Sequence, residues 1–248
     1  MPLQFLTPAP QTDDHRTEDL WLPLQRAFDE ILDKHNTNQD FDQLYKDAYA
    51  MVIRNEGERL YCGLREAVQE HLVNKVRPLM LAKVHDCLWT INQAWEDHQT
   101  SMEIISDIVK YLDHTYVPQN NVCCVKELGV LLFRDVVANC GVVRYHLRDT
   151  MLGLVKMERE GNPVDRVSLK KACEMLVALG LGSMSFYEEY FEKPFLVESA
   201  QFYALRGQRY IGTRNSLEYV AQVEEHVKKS RSGRCSVSTS QPWLHYRR

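Results

Sequence analysis

No pair of cysteines stands at CxxC spacing in this 248-residue chain, and the seven that occur, at 62, 87, 123, 124, 140, 173 and 235, are odd in number and irregularly placed. That pattern makes a poor disulfide framework and offers no structural zinc site. Most of these thiols have apolar neighbours, where cysteine serves as a small core residue. No apolar run approaches the ~20 residues that span a bilayer, and residues 1–11 lack the basic stretch and apolar core of a signal peptide. A soluble intracellular chain is the expectation. No segment alternates apolar and polar in the manner of a half-buried strand. HExxH, P-loop and GxSxG patterns are missing, and Gly180-x-Gly182 lacks the third glycine and the preceding strand of a dinucleotide site.

Charge excludes a further class. The formal net charge is −4, from 30 Lys/Arg and 34 Asp/Glu. Six of the basic residues and none of the acidic ones fall in 228–248, which leaves 24 basic against 34 acidic, or −10, in 1–227. An acidic body does not suit a dedicated nucleic-acid binder. From 230 to 241 the composition turns to Ser, Arg, Gly and Thr, and the basic end reads as a disordered, solvated tail, with a weak nuclear-import stretch as the lesser alternative.

What the chain does have is helical spacing. Hydrophobic residues make up 44%, enough for a sizeable core. Leu24, Phe28, Ile31 and Leu32 mark the buried face of a helix over about 17–34. Asp40, with Gln43 three residues on, forms a capping box for a second helix carrying Leu44, Ala48, Met51 and Val52. Leu60, Leu64, Val68, Leu72 and Val76 follow in a third. Val84, Leu88, Ile91, Trp95, His98, Met102, Ile105, Val109, Leu112 and Tyr116 then recur in steps of four and three, a face buried over many turns. Thr100 with Glu103 resembles another capping box, which predicts two helices meeting near 98–100. After a polar loop at 118–121, further helices are expected from Val125, over about 142–160, from Asp165 to Gly180, and from about 215. Residues 185–212 are aromatic-rich.

Candidates for chemistry are few. His98 lies on the apolar seam, where a hydrogen-bonded core histidine is the simpler reading. Glu188-Glu189 and Asp13-Asp14 are adjacent pairs, which point apart on a helix. No cofactor, no metal and no enzymatic centre is expected. The feature that calls for a function is the aromatic row Phe41, Tyr45 and Tyr49, at intervals of four beside a face already supplied with Leu44 and Ala48. Spacing alone favours core packing over a binding surface, although tyrosine suits an interface because it buries a ring and keeps a polar tip.

The segments Leu44-Tyr45-Lys46-Asp47-Ala48-Tyr49, Gly57-Glu58-Arg59-Leu60-Tyr61, Asn92-Gln93-Ala94-Trp95-Glu96-Asp97-His98-Gln99-Thr100, 107–113, Phe133-Arg134-Asp135 and Tyr187-Glu188-Glu189 occur in the order found in cullins. Over about 20–229 the chain resembles that family, and most of all its BTB-binding branch. The resemblance implies an all-α fold, an elongated stack of five-helix cullin repeats, one complete and one truncated. It divides the chain into a flexible arm (1–16), a first repeat (17–120), an incomplete second repeat (121–229) and the tail (230–248). It also implies a non-catalytic scaffold of a ubiquitin ligase, acting in cytoplasm and nucleus, whose first repeat docks BTB-domain substrate adaptors through its second and fifth helices. Phe41, Tyr45, Tyr49, Tyr111 and His114 take the family's contact positions, with Leu44 supporting them from behind. The half that recruits a RING-finger protein and accepts a ubiquitin-like modifier is not expected in these residues, so the chain would act as a competitor of a full-length scaffold. A helical tethering rod without ligase function and a truncated product without function are the alternatives. Three departures stand out: His114 where the family has arginine, Pro78 for a polar residue, and an arm unlike the family's.

Overall fold

Steps of three and four between apolar residues become helix in every regular element of the computed structural model, which describes residues 12–35 and 40–211. Of the arm expected over 1–16, residues 12–16 are helical and 1–11 lie outside the described residues, as do the helix expected from about 215 and the basic tail. In chain order, α1 is Thr12–Leu32, α2 is Phe41–Ile53, and α3 is Gly57–His71, continuing through a π turn, Leu72–Val76, into Arg77–Ala82. A 3-10 turn at Val84–Asp86 leads to α4, Cys87–Ile108, and then α5, Lys110–Asn120. α6 is Val125–Phe133 with a π turn at Arg134–Ala138, α7 is Gly141–Arg159, and α8 is Arg166–Ala178. α9 joins Ser185–Tyr187, a π turn at Glu188–Glu192, and Lys193–Ile211. α1 starts five residues before the position expected from sequence.

The chain divides at His146 into two compact units. In the first, Leu24, Phe28 and Ile31 of α1, Ala48 and Met51 of α2, Leu60, Leu64 and Val68 of α3, and Ile91 and Ile105 of α4 are all buried. α1 and α3 approach closely at Gly63, where an added Cβ would lie 2.3 Å from the Trp21 ring. Ser101 donates to the carbonyl of Ile31 (3.0 Å), fastening α4 to the last turn of α1. In the second unit Leu147, Met151, Leu169, Ala172, Leu176 and Tyr190 form the core. There Arg159 donates to Ser199 (2.6 Å), and its guanidinium lies 5.1 Å from the centre of the Phe195 ring, holding α9 to the end of α7.

The long seam is buried as its spacing predicts, but its break lies elsewhere. α4 runs without interruption past Thr100, and the backbone departs from helix only at Val109 (φ −99°, ψ 21°). Thr100 does not cap: its hydroxyl donates to the Glu96 carbonyl one turn back (2.9 Å), a bond compatible with an unbroken helix. The loop expected at 118–121 is also shorter than predicted. α5 continues through Pro118 to Asn120 and ends at Asn121, which is left-handed (φ 53°). An exposed last turn tolerates the single bond a proline removes.

Two of the π turns precede a proline at the same offset, Pro78 after Leu72–Val76 and Pro194 after Glu188–Glu192. A proline has no N–H for the carbonyl four residues back and its ring crowds that carbonyl; a widened turn opens the space. In α3 the extra residue also turns the following segment, so that Met80 is fully buried while Leu79 is 43% exposed.

His98 is the one histidine deep in the seam. Its Nε2–H donates to the Gly129 carbonyl on α6 (2.9 Å), and its ring packs 5.2 Å from Phe133 and 6.2 Å from Trp95. Nδ1 has no hydrogen-bond partner. Burial holds its pKa down, from 6.5 to about 4, against the opposing pull of the Gly129 carbonyl. Unfolded, the imidazole takes up a proton below about pH 6.5; folded, it stays neutral until about pH 4. The unfolded state binds more protons in that window. Stability from this group is therefore complete above pH 6.5 and falls as the pH drops towards 4, by roughly 3 kcal/mol in all. Urea melts at pH 7.0 and 4.5 are expected to show this loss. His98→Gln, which keeps an N–H for Gly129 but cannot titrate, is expected to flatten it; an equal pH slope in both proteins would remove His98 as the cause.

Candidate functional site

α2 is placed by its ends. The Asp40 carboxylate accepts from the Gln43 backbone N–H (3.2 Å) at the start, as the capping pattern predicts. Leu44, Ala48 and Met51 turn inward against the core. With that face committed, the row at intervals of four from Phe41 starts on its flank and drifts away from it by about 40° per step. Phe41, Tyr45 and Tyr49 are 44%, 40% and 42% exposed, so three large rings on one helix remain partly in water.

α5 packs beside α2 and brings Tyr111 to the row. The Tyr49 and Tyr111 ring centres are 4.5 Å apart, and those of Tyr45 and Tyr49 are 6.5 Å apart and stacked. Tyr111 is half-buried, supporting Tyr49 from one side. Of the six residues expected here, Leu44 is buried behind the row, and His114 is exposed one turn along α5 from Tyr111. The His114 Nδ1–H donates to the Lys110 carbonyl within the helix (2.7 Å), which leaves Nε2 as the outward nitrogen. Ile53 was not among the residues expected, although it stands four residues after Tyr49 and is 58% exposed. The interval was the available signal.

The position of α5 is fixed from its far end. The Val125 backbone N–H, at the start of α6, donates to the Asp113 carboxylate (2.9 Å), and Tyr61 of α3 donates to the Cys123 carbonyl (2.9 Å). Burial raises the pKa of Asp113, while the bond from Val125 holds it down. Gly57 completes the fit, because a Cβ there would lie 2.9 Å from the Tyr116 ring. The rings on α2 and α5 thus sit on elements locked by core contacts and cross-helix bonds, the condition for a surface that loses little freedom when it binds.

Elsewhere the ionisable groups form structural links. Lys75 and His71 of α3 both meet the Asp33 carboxylate at the end of α1, and the Lys75 bond holds the Asp33 pKa below its ordinary value. Among the described residues no three His, Cys, Asp or Glu side chains come together as a metal-binding set, and no helix is long and apolar enough to cross a membrane.

The family model described as the cullin alpha solenoid domain matches residues 21–242. Cullin-3 of Dictyostelium discoideum is 36% identical over 209 residues, covering 84% of this chain and 27% of that protein. Cullin-3 of Caenorhabditis elegans is 35% identical over 227 residues, covering 90% of this chain and 29% of that protein. Human Cullin-4A is 29% identical over 223 residues, with 89% and 29% covered. The chain thus spans under a third of the length of the curated relatives it matches.

Proposed function

The chain belongs to the cullin family, and we propose that it is an adaptor-binding scaffold of a ubiquitin ligase whose α2–α5 face docks the BTB domain of a substrate adaptor. One observation carries the reading: three aromatic side chains on a rigid helix are left 40–44% exposed, with Tyr111 packed at their flank. Exposed aromatics in a row are costly to leave in water and are the residue types that dominate binding hot spots. Greater identity to the Cullin-3 proteins of Dictyostelium discoideum and Caenorhabditis elegans than to human Cullin-4A favours the BTB-binding branch. On this reading 17–120 is the first repeat, with α2 and α5 its second and fifth helices, and 121–229 belongs to the second. The chain contributes binding and geometry to the ligase and performs no bond-making step. It acts in cytoplasm and nucleus, and as an isolated polypeptide it competes with a full-length scaffold for adaptors.

Calorimetric titration of the purified chain with a panel of BTB-domain proteins tests the proposal. Binding of roughly micromolar strength or tighter to at least one member is expected, about 8 kcal/mol of free energy. Failure to bind any member would leave the face without its proposed occupant and favour a tethering rod.

A further inference from the structure

The outer row of α2 does not stop at Tyr49. Ile53 follows at the same interval of four and, at 58%, is more exposed than any of the three aromatic residues before it. The turn that ends the helix gives no reason for an isoleucine there. It is closed by bonds from Asn55 N–H to the Val52 carbonyl (3.0 Å) and from Glu56 N–H to the Met51 carbonyl (2.9 Å), with Asn55 in the left-handed region (φ 65°). Met51 fills the inside of that turn and is fully buried, so Ile53 contributes nothing to the core. A single exposed aliphatic residue is ordinary on a protein surface. One that continues a ridge of three exposed rings, on a helix whose other side is already packed, lengthens a contact surface.

Resting on the adaptor-docking reading above, we propose that Ile53 is a fourth anchor of that face and helps to decide which BTB adaptor is accepted. The tyrosines carry hydroxyl tips and tolerate a polar neighbour. Ile53 has no polar atom, so a charged or amide group opposite it would be desolvated with nothing to pair with. Its β-branched side chain is also held close to one rotamer on a helix and gives up little freedom on contact. Asp42 and Lys46 lie back towards the start of α2, so its last turn is apolar, bordered by one cation, the exposed C-cap Arg54. The occupant fitted to it is a BTB domain that presents an apolar wall opposite that turn.

The test is calorimetry of the whole chain, Ile53→Lys, Ile53→Leu and Tyr49→Lys against the BTB domains of several adaptors, with circular dichroism and melting checked for each. Ile53→Lys is expected to weaken binding by about tenfold or more, and Ile53→Leu to stay within about threefold of the unaltered chain. All four proteins are expected to fold, the Ile53 variants because that side chain is largely in water and Tyr49→Lys because it gives up chiefly the one contact with Tyr111. Full affinity for Ile53→Lys beside a loss for Tyr49→Lys would end the face at Tyr49 and overturn the inference while leaving the docking reading in place. Full affinity for both, or no binding by the unaltered chain, would overturn the docking reading and this inference with it.

Discussion

Tyr49→Lys is expected to abolish adaptor binding without unfolding the chain. The ring is 42% exposed and lies between Tyr45 and Tyr111, so it is pre-positioned at the centre of the face. Truncating a central aromatic anchor costs about 2 kcal/mol or more, roughly a thirtyfold loss of affinity. Lysine makes the loss larger, because an ammonium group would have to be desolvated in the contact or hold the partner away. The effect on folding is much smaller. The substitution gives up the Tyr111 contact, about 1 kcal/mol, and little apolar burial. Calorimetry against an adaptor that binds the unaltered chain, with thermal melts of both proteins, separates the two effects. Retained affinity in Tyr49→Lys would place the adaptor contact on another surface.

Phe133→Ala is expected to destabilise the first unit by about 3–5 kcal/mol, the usual cost of removing a phenylalanine from a packed core. Phe133 is fully buried on α6, with its ring centre 5.0 Å from Trp95 and 5.2 Å from His98. Its loss leaves a void beside an imidazole that already has an unpartnered nitrogen. The neighbours are poorly placed to collapse into it: His98 is tethered to Gly129, and an added Cβ at Gly129 would lie 2.7 Å from Met102, so the two helices already touch there. Against a typical domain stability of about 5–15 kcal/mol this is a large share, and it is expected to lower the melting temperature by roughly 10 °C. A urea melt reads it directly. A loss below about 1 kcal/mol would mean that α4 and α6 slide together to close the gap.

Most of the helical core was legible before any coordinates. Steps of four and three from Leu88 to Leu112 name buried residues almost without exception, because burial on a helix is a matter of angle, and angle is a matter of spacing. Where that seam breaks was not legible. Thr100 and Glu103 carry the residue types of a helix start, but a threonine hydroxyl can equally bond the carbonyl one turn back, and tertiary packing decided for the second. Val109, where the helix ends, has no side chain that marks an end. The docking face divides in the same way. The row Phe41, Tyr45, Tyr49 was visible as a row, yet spacing alone inclined towards burial, since a stripe beside a core face usually continues the core. Only the packed neighbours reveal that its rings remain partly in water. Tyr111 could be paired with Tyr49 only through family resemblance, because a contact between residues 62 apart leaves no trace in local periodicity.

The π turn before Pro78 has a further consequence for how this chain tolerates change. Counting by 3.6 from Leu60 through Leu72 arrives at Leu79, yet Met80 is the residue indoors. The widened turn is a one-residue insertion absorbed on the spot, a slip of phase in the hydrophobic code that leaves the helix continuous. Deleting one residue within 72–76 would therefore restore ordinary helical phase and leave Met80 where it is. The same deletion a few residues earlier in α3 would swing everything beyond it by about 100° and turn its apolar face to water. Length variation in this helix has one place where it is nearly silent, and a proline two residues downstream marks it.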